Sequence, residues 1–122
     1  NTADRSLAMI DYALRRRFSF FEVEPGFRSD GFKKYQGEFK NETFDALIDR
    51  IVELNKEISS DNSLGNGFCI GHSYFCGQKV CTDDWMREVI TYDIIPMLNE
   101  YWFDDNSKVK RWENILQGIF ND

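Results

Sequence analysis

One histidine, two prolines and three cysteines are all that the 122 residues hold of those types. No apolar run approaches the roughly 18 residues of a membrane-crossing helix, which argues against a transmembrane protein. No charged, apolar and small-residue leader pattern is seen. An odd cysteine count fits a reducing cytoplasm better than a secreted disulfide framework. Basic charge is scarce, with 15 Lys and Arg against 21 Asp and Glu and a net charge of −6. A chain so balanced does not grip nucleic acid on its own, because neutralising phosphates takes a basic face. Internal repeats and low-complexity tracts are absent. So is a phosphate-binding loop: "LGNGFCIG" fits neither G-x-G-x-x-G nor G-x-x-x-x-G-K-[ST]. An apolar strand ending in Asp-Glu, the usual Mg²⁺ and water-activating element, is also missing.

What is present is apolar mass. Hydrophobic residues make up 42% and aromatics 16%, with eleven Phe, enough to fill the core of one domain or part of one. Asp4 can cap a helix running to about Arg16. "RFSFFEVEP" (17–25) reads as a strand buried on both faces and stopped by Pro25-Gly26. No comparable second strand follows, so its sheet neighbours are expected elsewhere. Residues 29–39 suit a short helix. Asn41 caps a longer one, in which Phe44, Leu47, Ile48, Ile51, Leu54 and Ile58 recur at helical spacing. "SSDNSLGNG" is a loop, and "FCIGHSYFCG" a strand–turn piece or the start of a helix. Thr82 opens a helix with acids in its first turn. Pro96 is expected to kink or break it, and "DDNS" ends it. "KVKRWENILQGI" forms a last helix with Val109, Trp112 and Leu116 on one face.

Four groups of residues carry candidate chemistry. "NTAD" at 1–4 resembles the guanine-reading Asn-x-x-Asp of small GTPases, yet Asp4 equally serves as a helix cap. An Asn at a strand end can also hold a water against a terminal phosphate. Arg15, Arg16 and Arg17 suit the negative end of a helix dipole. Alternatively, one of them is held at a helix–strand junction, reaching a phosphate bound by a neighbouring subunit as a forked, permanent cation. Cys69, His72, Cys76 and Cys81 give C-x₂-H-x₃-C-x₄-C, four possible zinc ligands. The spacing matches no familiar zinc knuckle closely, and buried cysteines with a hydrogen-bonded histidine are the favoured reading. "TDDW" and "WFDD" pair carboxylates at helix boundaries, where solvated capping acids are the simpler explanation.

Together, "NTADRSLAMIDYALRRRFSFFEVEPGF", "GNGFCIGHSYF" and "IIPMLNEYWFDD" resemble, in order and spacing, the C-terminal part of the McrB family. These are AAA+ GTPase motor subunits of modification-dependent, 5-methylcytosine-specific restriction systems. The resemblance covers essentially the whole chain. It implies a mostly α architecture: one helix and the last strand of the AAA+ α/β core in residues 1–26, then the helical lid subdomain in 27–122. Asn1 would be the sensor-1 residue that orients the attacking water. Asp4 and Arg5 would line the nucleotide and the subunit interface. Arg17, with Arg16 second, would be the trans-acting arginine finger. His72 and Ser73 would fall at the sensor-2 position, although the arginine usual there is absent. The implied partners are further copies in a ring, six by resemblance, and a McrC-type endonuclease subunit, with DNA held by other parts of the protein. GTP and Mg²⁺ would be bound only by the full-length protein, because the Walker A and B elements would precede Asn1. An isolated chain of this extent should bind no cofactor, hydrolyse nothing and associate through the exposed edges of "FSFFEVE". An ATP-using MoxR-like or dynein-related AAA+ protein, and a non-catalytic helical module, are the alternatives.

Overall fold

The computed structural model describes residues 26–120. The helix and strand read into residues 1–25, the edge association argued from them and the core–lid boundary drawn there therefore lie outside the described residues. Among the described residues there is no strand, and five α-helices carry the fold. They are α1 (Asp30–Phe39), α2 (Glu42–Ser60), α3 (Asp83–Val89), α4 (Ile95–Tyr101) and α5 (Asn106–Gln117).

Each helix that begins after a loop starts at a polar side chain accepting from a first-turn N–H. Ser29 Oγ accepts from Phe32, Asn41 Oδ1 from Phe44, Thr82 Oγ1 from Trp85 and Asp105 Oδ1 from Lys108. These bonds satisfy amides that have no partner inside the helix. Asn41 and Thr82 stand where the sequence placed them.

α2 is the axis of the packing. Its seven buried residues, Phe44, Leu47, Ile48, Ile51, Leu54, Asn55 and Ile58, form one continuous stripe. The Asn66–Phe68 turn, α5 and the Gly118–Phe120 turn pack on it, and α4 packs on α5. α5 buries Val109, Trp112 and Leu116 as its periodicity requires. Glu57 ties α5 down, accepting from Arg111 Nη2 at 2.7 Å through one oxygen and from Trp112 Nε1 through the other. No described helix is long and apolar enough to cross a membrane.

Pro96 does not break its helix. Between α3 and α4 the chain makes a wide π turn, Ile90–Ile94, in which the Ile95 N–H reaches back to the Ile90 carbonyl. In a straight α-helix the proline ring would press on the carbonyl four residues earlier and remove one ladder bond. A single wide turn relieves that crowding and keeps Ile90, Ile94, Ile95 and Leu98 buried.

At the C-terminal end of α2, Asp61 accepts from Ser63 N–H at 2.9 Å, Ser63 Oγ at 2.7 Å and Trp102 Nε1 at 2.9 Å. The Ser63 hydroxyl, then the Trp102 indole and the Ser63 amide, hold its carboxyl below the usual aspartate range. A depressed folded pKa stabilises above the unfolded value of about 3.9, and the contribution disappears as pH falls through the lower folded value. Asp61→Asn mimics the protonated state, because its –NH₂ must face a donor whichever way the amide is turned. The variant should therefore be less stable than wild type at pH 7. Urea unfolding as a function of pH should show that gap closing below about pH 4. A gap unchanged by acid would assign the loss to something other than the charge.

Candidate functional site

Cys69, His72, Ser73 and Cys76 lie on segment 69–78. This segment is irregular, with a 3-10 turn at His72–Phe75, so its place depends on what grips it. Three grips exist. Asn55, buried in α2 at 8% exposure, pairs with Ile70 as a strand neighbour would. Its Nδ2 donates to the Ile70 carbonyl at 2.9 Å and its Oδ1 accepts from the Ile70 N–H at 2.6 Å. Tyr35 of α1 bridges the far end, its hydroxyl donating to the Phe75 carbonyl at 2.7 Å and accepting from the Gln78 N–H at 3.2 Å. Burial, the largest influence, pushes the Tyr35 hydroxyl above its ordinary pKa, so it stays a donor. Phe68, Ile70 and Phe75 anchor the segment in the core.

The third grip is His72. The Gly26 N–H donates to its Nδ1 at 3.1 Å. As an acceptor Nδ1 carries no proton, so the ring hydrogen sits on Nε2, leaving a neutral imidazole with one N–H donor. Phe27 and Phe32 meet the ring edge to face, at centroid distances of 6.3 and 5.8 Å. The Gly26 peptide is fixed on its other side too, since its carbonyl accepts from Ser29 N–H at 3.1 Å and Ser29 Oγ at 2.7 Å. His72 is half-buried, whereas Ser73 is exposed. The segment thus presents an imidazole N–H donor and a hydroxyl side by side in sequence, on a backbone held at both ends.

Gly26 is needed here for proximity. A Cβ at this position would lie 2.5 Å from His72 Cε1 and 2.6 Å from Nδ1. Gly26→Ala is expected to push the imidazole aside, break the Gly26–His72 bond and cost about 1–2 kcal/mol. Adding His72→Ala should recover part of that loss, because the clash disappears with the ring. Thermal unfolding of the single and double variants checks this, and strictly additive losses would refute the contact.

The other candidate residues fall as follows. Asn1, Asp4, Arg5, Arg15, Arg16 and Arg17 lie outside the described residues. Cys69, His72, Cys76 and Cys81 do not converge, and among the described residues no three His, Cys, Asp or Glu side chains stand where one metal ion could be held. Cys69 Sγ instead donates to the Asn55 carbonyl at 3.5 Å. Burial raises the Cys69 and Cys76 thiol pKa values. Burial first, then Asp83 and Asp45, pushes the Cys81 thiol up to about 11. All three are neutral thiols at physiological pH, poor as metal ligands or nucleophiles. Asp83 and Asp84 occupy the first turn of α3, and Asp105 caps α5. Sequence reasoning passed over Asn55 and Tyr35. The available signal for Asn55 was a polar residue inside an otherwise apolar helical stripe.

Residues 46–110 match the family described as McrB, alpha-helical lid domain. Over 97% of its length the chain is 49% identical to the Type IV methyl-directed restriction enzyme EcoKMcrB subunit of Escherichia coli strain K12. It spans 27% of that relative's length. The matched residues run from α2 into α5 and make up more than half of the chain, and the chain belongs to the McrB alpha-helical lid domain family.

Proposed function

We propose that this chain is the lid-bearing C-terminal portion of a McrB-type AAA+ GTPase that powers DNA translocation for a partner restriction endonuclease. The observation that carries the reading is the 49% identity, sustained over 97% of the chain, to a restriction enzyme subunit. That span takes in nearly everything from the polar cluster at Asn1 to the last helix. The full-length protein would form a ring in the cytoplasm, hydrolyse GTP between subunits and engage a McrC-like endonuclease. DNA would be held by other regions, in keeping with the net charge of −6 here.

In this reading, residues 1–26 complete the α/β core and 27–122 form the lid. The Asn1 carboxamide orients the attacking water. Asp4 and Arg5 line the nucleotide and the interface, and Arg17 (or Arg16) reaches the neighbouring subunit's phosphates. His72 and Ser73 offer a neutral N–H and a hydroxyl to phosphate oxygens, so they contribute hydrogen bonds without the charge of an arginine. Mg²⁺ and GTP would be bound by the full-length protein, through elements that precede Asn1. Because His72 also holds the Gly26 peptide, a shift of the imidazole toward or away from nucleotide is transmitted to the backbone where the lid begins. That is a short mechanical route from nucleotide state to lid angle.

GTP and ATP turnover by the full-length protein tests the proposal. A clear preference for GTP supports it. Turnover of ATP alone would assign the chain to an ATP-using AAA+ relative, and hydrolysis of neither would remove the motor function.

A further inference from the structure

We propose that Tyr35 and Asn55 are positioning residues for nucleotide turnover, acting through His72 and Ser73 from opposite ends of segment 69–78. The inference rests on the reading that His72 faces the nucleotide. It adds two residues on two other helices, neither of which needs to touch the ligand. The geometry favours it in three ways. First, each of the two makes two hydrogen bonds to backbone of the segment, at 2.9 and 2.6 Å for Asn55 and at 2.7 and 3.2 Å for Tyr35. Two bonds from one planar amide fix orientation as well as distance. Second, the bonds bracket the site, with Ile70 two residues before His72 and Phe75 two after Ser73. Third, the segment between them is one short 3-10 turn, His72–Phe75, flanked by irregular backbone, and its far end turns through Gly77 at φ 78°. A single short turn carries too few hydrogen bonds of its own to fix its place in the fold. Residues that supply positioning of this kind contribute to rate by holding reacting groups within a fraction of an ångström.

Tyr35→Phe is the mild test. It keeps the ring, which packs on Phe32, Phe39 and Phe44, and removes only the hydroxyl. In the full-length protein we expect two results. Amide exchange of a peptide covering residues 75–78 should quicken in the nucleotide-free state. GTP kcat/KM should fall roughly five- to tenfold, the share of the two lost hydrogen bonds that reaches the transition state through His72 and Ser73. The deciding measurement is the double-mutant cycle with His72→Ala. If Tyr35 acts through His72, adding Tyr35→Phe to His72→Ala should lower kcat/KM little further. Asn55→Asp, which keeps an acceptor for the Ile70 N–H and loses the donor to its carbonyl, should quicken exchange around residue 70 and behave likewise in the cycle.

The outcomes separate the two layers of the argument. If His72→Ala turns over GTP normally, the assignment of His72 to the nucleotide fails and the positioning role falls with it. If His72→Ala is impaired but Tyr35→Phe and Asn55→Asp are not, the nucleotide reading stands and the positioning proposal is overturned. Losses that add in full to that of His72→Ala would likewise overturn it, showing that the two residues act by general stability.

Discussion

GTP turnover by the full-length protein should fall a hundredfold or more in Arg17→Ala, with folding and ring assembly retained. A hundredfold is about 3 kcal/mol of transition-state stabilisation. A helix-capping arginine stabilises its fold by roughly 1 kcal/mol or less and leaves turnover alone, so the two roles differ in both size and observable. The larger figure follows from chemistry. As the terminal phosphoryl group transfers, charge spreads over its oxygens, and a guanidinium delivered in trans meets that charge with a planar pair of N–H donors. Lysine cannot reproduce the fork, so Arg17→Lys should recover only part of the loss. Mixing Arg17→Ala subunits with wild type adds a check, because a trans finger impairs the neighbour's site and makes mixed rings fall off non-linearly with mutant fraction. Normal turnover by Arg17→Ala would assign Arg17 to the helix end and move the prediction to Arg16.

How much of this was legible in the sequence depended on how local each feature is. The Asn41 and Thr82 caps, the α2 stripe and the buried face of α5 rest on neighbours three or four residues apart, and the chain folds that way. Pro96 announced a disturbance in its helix, but whether a proline kinks, breaks or is absorbed by a wide turn is decided by the packing of Ile90, Ile94 and Ile95 on the core. Segment 68–77 read as a strand–turn piece or the start of a helix, and it runs from the end of the Asn66–Phe68 turn through irregular backbone into one 3-10 turn, His72–Phe75. No local pattern could give that, because its partners Asn55 and Tyr35 sit about 15 and 40 residues away. Pro25-Gly26 read as a stop signal. The described end of that pair, Gly26, also lets an imidazole 46 residues away approach its backbone. The nucleotide roles proposed for residues 1–17 rest on resemblance, since composition and spacing alone leave Asp4 a cap and the arginines a dipole partner.

Phe44→Ala should be the most destabilising single truncation in the helical part, at about 3–5 kcal/mol. Phe44 is fully buried, at 0% exposure, in the first turn of α2. Its ring stacks on Trp85 at 5.9 Å and meets Phe39, Tyr35 and Phe32 at 5.3, 6.3 and 6.4 Å. Alanine there loses the transfer energy of the ring and leaves a cavity walled by four rigid rings, which collapse poorly into it. It also forfeits aromatic pair contacts worth roughly 0.5–1.5 kcal/mol each beyond area. Against a total stability of about 5–15 kcal/mol for a domain, that is a large share. Phe103 provides the control. It is the same residue type at 71% exposure, and Phe103→Ala should stay within about 0.5 kcal/mol of wild type. Urea unfolding of the three proteins side by side reads the difference as a shift in midpoint. A cost below about 1 kcal/mol at Phe44 would contradict the burial and cavity argument. The effect should also reach segment 69–78. Tyr35 packs on Phe44 while its hydroxyl holds Phe75 and Gln78, so residues 75–78 should exchange their amides faster in Phe44→Ala than global unfolding alone accounts for. In the Tyr35→Phe background that local excess should shrink, because the hydroxyl through which the cavity would act is already gone.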